Sequence, residues 1–134
     1  MIERRAPRGG TTRRGLRGAA ALLGIGIGIS MSLSACAPGK PEPVPSDDGA
    51  KATVTVRVVD NVYEPAEVEV KAGEAVRWVF EGPGEHDVVS DDRGFVSELM
   101  PEGSYTHLFE ETGDYAYLCS IHPEMRGIVH VVAP

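Results

Sequence analysis

Cysteine is scarce in this chain, with two in 134 residues. A small scaffold held by several disulfides is therefore excluded. Aromatics are also few, one Trp, three Phe and four Tyr, so a core must be built mostly from aliphatic side chains. Beyond residue 35 only seven Lys and Arg remain against 19 Asp and Glu, a net charge of −12 with His neutral. So acidic a domain is repelled by nucleic acid and suits a basic partner. No apolar run is long enough to span a bilayer as a helix. Acids are plentiful, but no pair is marked out for acid–base work.

The N-terminal residues read as a targeting segment. Residues 1–17 hold six Arg and one acid, Glu3, and an apolar run follows from Ala19 to Met31, broken by Gly24, Gly26 and Gly28. Such a basic region, apolar region and small-residue cut site is the pattern of an export signal. Leu33-Ser34-Ala35-Cys36 resembles the lipobox of bacterial lipoproteins, which implies acylation of Cys36 and removal of residues 1–35. An ordinary cleavage site with a chance Cys is the alternative. Thr12-Arg13-Arg14-Gly15-Leu16-Arg17 partly resembles a twin-arginine signal, and a general export route fits as well. The expected organisation is a signal at 1–35, a lipid-anchored Pro-rich tether at 36–51 and one domain at 52–134. The tether carries Pro38, Pro41, Pro43 and Pro45 without apolar periodicity. Extended, at ~3.1 Å per residue, it reaches about 40 Å and holds the domain off a membrane. The expected location is the outer face of the cytoplasmic membrane, reached through the lipid alone.

From Ala52 the pattern alternates with period two. Strands are predicted at Thr53–Val58, Val68–Lys71, Val76–Phe80, His86–Ser90, Tyr105–Phe109, Tyr115–Cys119 and Ile128–Val132. Turn signals separate them, at Ala72-Gly73-Glu74, Gly82-Pro83-Gly84, Pro101-Glu102-Gly103 and Thr112-Gly113-Asp114. A brief helical turn is expected at Glu98-Leu99-Met100. About seven short strands with no helical period argue an all-β sandwich.

Near the C-terminus runs Cys119-Ser120-Ile121-His122-Pro123-Glu124-Met125. A thiolate, an imidazole and a thioether fall at i, i+3 and i+6. Two His, one Cys and a weak axial Met make up a trigonal copper site. The missing imidazole must come from elsewhere, and His86 is well placed for it. Read singly, Cys119 is a small buried hydrophobe, His122 and His86 are loop residues, and Met125 is a core plug. Zinc competes for two His and one Cys, but Met is a poor zinc ligand. A Cys36–Cys119 disulfide would consume both thiols and leave the His and Met spacing unexplained.

Several stretches carry a family resemblance. They are Asp60-Asn61-Val62-Tyr63-Glu64-Pro65, Val70–Trp78, His86-Asp87-Val88-Val89 and Gly113–Gly127. Over residues 52–134 the chain resembles the cupredoxins, the type 1 blue copper proteins, of the plastocyanin and amicyanin kind. The short gap between His122 and Met125 is similar to that of amicyanin. The resemblance implies a Greek-key sandwich, one type 1 Cu ion on His86, Cys119, His122 and Met125, and single-electron transfer through Cu(II)/Cu(I) with no catalysis. It also implies His122 as the exposed edge for electrons. Met100, Pro101, Ile121 and Pro123 are candidates for an apolar docking rim. The expected partner is a redox protein, a cytochrome or an oxidoreductase, with a basic face. Copper storage or delivery without a redox partner is the competing reading. A copper enzyme would need more His than the four present.

One position departs from the family pattern, with Asp87 where Asn usually follows the first His ligand. Two roles stay open for it. Either it accepts hydrogen bonds from the ligand loop and lowers the potential relative to Asn, or it is a solvated loop acid. His107 and His130 are expected mid-strand, away from the ligand pole, and Trp78 and Phe80 in the core.

Overall fold

The computed structural model describes residues 39–134. The export signal and Cys36 lie outside the described residues. Eight strands follow one another: β1 (Ala52–Val59), β2 (Val62–Glu64), β3 (Glu67–Lys71), β4 (Glu74–His86), β5 (Val89–Ser90), β6 (Met100–Phe109), β7 (Gly113–Leu118) and β8 (Arg126–Val132). They form two four-stranded sheets, ordered β2-β1-β4-β6 and β3-β8-β7-β5. β1 with β4 and β3 with β8 are parallel, and the remaining pairs are antiparallel. The molecule is therefore the expected all-β sandwich.

Period-two alternation explains which side chains face inward. Val56 and Val58 of β1 are buried while Thr55 and Arg57, which alternate with them, are exposed. Val68 and Val70 of β3 repeat the pattern. Between the sheets sits Trp78, which stacks on Phe95 at 5.4 Å and meets Tyr117 edge-on at 5.4 Å. With one Trp and three Phe available, valines fill most of the remaining core.

Three expectations need correction. His86 does not open a strand: β4 runs on past Phe80 through Gly82-Pro83-Gly84 and ends at His86. A register shift between Glu81 and His86 marks the irregularity, and β4 then rejoins β6 at His86 opposite Met100. The extra strand β2 completes a hairpin whose loop is Asp60-Asn61, both with positive φ (43° and 64°). That is the primed two-residue turn that Asn and Asp tolerate. Glu98-Leu99-Met100 makes no helical turn, because Met100 already belongs to β6.

The Pro-rich segment also differs from a free tether. Val44 N–H donates to Val96 O at 2.8 Å, Asp47 N–H to Thr106 O at 2.9 Å, and Leu108 N–H to Asp47 Oδ2 at 2.9 Å. The Ser46 hydroxyl accepts from Thr106 N–H at 2.9 Å. Proline's missing N–H does not prevent docking here, because Val44 between two prolines and Ser46 and Asp47 after the last of them supply the donors and acceptors. Lys40 to Ala50 is thus an arm laid along the domain.

Candidate metal centre

The sandwich brings its loops together at two poles. At one of them, β4 ends on His86 and β7 ends one residue before Cys119. The segment Cys119–Met125 then turns back into β8. Two backbone bonds close this turn: Met125 N–H donates to His122 O at 2.8 Å, and Cys119 N–H donates to Met125 O at 3.1 Å. The loop that carries three candidate donors is therefore held as a unit.

His86, Cys119 and His122 converge, their donor atoms all within 4.8 Å of one another. Cys119 Sγ is 3.9 Å from His86 Nδ1 and 3.7 Å from His122 Nδ1. Both imidazoles thus turn the same nitrogen toward the thiol. Their ring centroids are 5.0 Å apart. Cys119, His86 and Met125 are buried, whereas His122 is partly exposed. Gly84 leaves room for the first imidazole, since a Cβ there would stand 3.3 Å from His86 Nε2.

The electrostatics suit a cation. Burial lowers the pKa of His86, and the nearby His122 lowers it further. A proton there is disfavoured and the nitrogen lone pair stays free. Burial pushes the Cys119 thiol up, against the pull of backbone hydrogen bonds from Asp87, Ile121 and His122. A coordinating cation displaces such a proton outright. One soft sulfur, two imidazoles and a buried thioether in the same loop fit copper better than zinc, which has no use for Met.

Asp87 is not a solvated acid. Its side chain is fully enclosed, and it accepts Ser120 N–H on Oδ1 at 2.7 Å and the Ser120 hydroxyl on Oδ2 at 2.6 Å. Its carbonyl accepts the Tyr63 hydroxyl at 2.6 Å. Sequence reasoning anticipated an acceptor for the ligand loop, a role that Ser120 fills as donor, but missed Lys40, whose Nζ lies 2.9 Å from Asp87 Oδ2. Nothing in a lone Lys among prolines signals that contact. His107 and His130 lie outside this cluster. His107 stacks on Phe95 at 5.0 Å, and His130 bridges Asp114 and Glu67.

A β-sandwich with one soft-donor metal pocket at a loop pole defines the class. The sequence profile of the cupredoxin-like domain matches residues 27–131, and the chain belongs to that family, on the plastocyanin and amicyanin side of it. Amicyanin of Paracoccus versutus is 37% identical over 84 residues, which is 58% of this chain and 64% of that protein. The match thus falls just short of two thirds of that relative. Plastocyanin of Scenedesmus fuscus is 33% identical over 84 residues, covering 52% of this chain and 86% of that protein. Among solved structures, crystalline amicyanin from Paracoccus versutus has a TM-score of 0.54 at 36% identity, covering 66% of this chain and 85% of that one. A reduced Cu(I) form of an amicyanin variant has a TM-score of 0.56 at 32% identity, covering 68% and 92%. The cofactor that this family and this donor set define is one type 1 copper ion.

Proposed function

We propose that this protein is an exported blue copper protein that carries single electrons. His86, Cys119, His122 and Met125 would hold the ion, which supplies a Cu(II)/Cu(I) couple. The convergence of Cys119 Sγ with two Nδ1 atoms carries this reading. The protein's own part is to fix the donors and exclude water. His86, Cys119 and Met125 are sealed by the core, and two backbone bonds brace the loop. A frame that moves little between redox states lowers the reorganisation that accompanies electron transfer. Four protein donors leave no open position for a substrate, in keeping with a carrier and not an enzyme.

His122 is the edge of the site nearest solvent, and Ile121 beside it is 49% exposed. With Met100, Pro101 and Pro123 it forms the apolar rim on which a redox partner would dock. The acidic surface steers a partner with a basic face, a cytochrome or an oxidoreductase.

Residues 1–35 serve export and Cys36 carries the lipid. Because the arm from Lys40 is docked, the free reach is short: Lys40 lies four residues beyond Cys36, at most about 14 Å of chain. The domain then sits close to the bilayer. Cys36→Ser should move the protein from the membrane to the soluble fraction, and unchanged membrane retention would refute the anchor.

The deciding experiment is the visible spectrum of the Cu(II)-loaded protein beside Cys119→Ser. An intense thiolate-to-copper band is expected, bleached by a reductant and absent in the variant. A folded β protein without that band overturns the reading. Reversible voltammetry, with copper retained against a mild chelator, separates electron carriage from copper delivery.

A further inference from the structure

Asp87 joins two segments that each carry candidate ligands. It directly follows His86, and its carboxylate holds Ser120, which directly follows Cys119. A carboxylate with a fully enclosed side chain is strongly unfavourable unless a counter-charge and hydrogen bonds compensate it. Ser120 supplies hydrogen bonds but no charge. The cation comes from 47 positions upstream: Lys40 Nζ lies 2.9 Å from Asp87 Oδ2, with the lysine side chain 25% exposed. This differs from the surface pair Arg57–Glu81, whose partners are 52% and 37% exposed and which water screens.

The arm is built to deliver this lysine. Between Val44 and Asp47 it is fixed to Val96 and Thr106 by backbone bonds, and Asp47 also holds Leu108 N–H. Lys40 therefore belongs to a docked segment and is not a stray surface side chain.

We propose that Lys40 is a positioning residue of the metal centre: the counter-ion that pairs with Asp87, keeps its carboxylate fixed between the His86 and Cys119 segments, and offsets the carboxylate's field at the copper. The effect on copper rests on the function proposed above, whereas the ion pair does not. Without Lys40 an uncompensated negative charge faces the site, which favours Cu(II) over Cu(I) and lowers the potential. Without the carboxylate the lysine charge favours Cu(I) and raises it.

The test is a double-mutant cycle in the full chain with Lys40→Met, Asp87→Asn and the pair together, plus Lys40→Arg as the conservative control. Two readouts are taken: the urea midpoint of the metal-free protein and the reduction potential of the copper-loaded protein. Lys40→Met is expected to lower the midpoint and shift the potential negative. Asp87→Asn shifts the potential positive. The double variant recovers toward wild type in both, and Lys40→Arg stays near wild type. Should Lys40→Met fail to fold, recovery of folding in the double variant supports the pair. Unchanged midpoint and potential in Lys40→Met, or strictly additive effects on the urea midpoint in the double variant, overturn the proposal. A coupled metal-free cycle in a wild type that shows no thiolate–copper band sustains the ion pair and overturns its action on copper.

Discussion

Ser120 gives both of its donors to a single carboxylate, its N–H to Asp87 Oδ1 at 2.7 Å and its hydroxyl to Oδ2 at 2.6 Å. The second bond fixes the residue after Cys119 against the residue after His86. Ser120→Ala removes it and keeps the backbone bond. A hydrogen bond to a charged group contributes about 1.5–3 kcal/mol, so the variant should unfold at lower urea by a ΔΔG in that range. An unchanged midpoint would mean that the hydroxyl is satisfied equally well by water.

Gly127 has no room for a side chain. A Cβ there would overlap Cζ and the hydroxyl oxygen of Tyr117, directly across the β7–β8 ladder, where Tyr117 pairs with Gly127. Tyr117 cannot retreat, because it is 1% exposed and packed edge-on to Trp78 and Tyr63. Overpacking of this kind costs about 1–3 kcal/mol. Gly127→Ala should therefore destabilise the fold by that amount, read as a lower thermal midpoint. Tyr117→Leu in the same background should recover part of the loss, and failure of that rescue would point away from the ring as the cause.

The local patterns in the sequence were read well and the long-range ones were not. Val56, Val58, Val68 and Val70 announce their inward faces by alternation, and Cys119, His122 and Met125 announce a donor loop by spacing. A bond from the ligand loop to Asp87 was foreseen and is made by Ser120, but Lys40 was invisible, because it reaches the carboxylate only after the sheets have closed. The strand end at His86 was misread for a related reason. Gly82-Pro83-Gly84 reads as a turn, yet an irregular stretch of β4 carries the chain straight through it to pair with Met100. Prolines likewise argued for a free arm before Ala52, and only tertiary contacts to Val96, Thr106 and Leu108 show that it docks.

His130 is held between two carboxylates on neighbouring strands, with Nδ1 2.6 Å from Asp114 Oδ1 and Nε2 3.0 Å from Glu67 Oε1. The Asp114 hydrogen bond, then that of Glu67, raises its pKa above the ordinary 6.5. Folding thus favours the protonated ring. The stabilisation is complete below 6.5 and is lost as pH rises through the raised value. His107 works in the opposite sense: burial lowers its pKa, so its contribution is lost as pH falls from 6.5 toward the lowered value. In His130→Asn, the fall of the urea midpoint above 6.5 should flatten while the acid side keeps its shape. An identical fall in the variant would assign the alkaline slope to another group.

Copper should act as a folding ligand, because its proposed donors are assembled only in the native state. Cys119 follows β7, His86 ends β4, and the two are 33 positions apart in the chain. An ion that binds the native state alone stabilises it by about 2.7 kcal/mol when free ion stands at a hundredfold its dissociation constant. Loading should therefore raise the thermal midpoint, and a chelator should return it to the metal-free value. The gain should vanish in Cys119→Ser, since the thiolate is the softest donor and the one both imidazoles face. It should persist in His130→Asn, whose ring lies outside the donor cluster. An equal rise in Cys119→Ser would place the bound metal elsewhere on the molecule and refute the loop as its site.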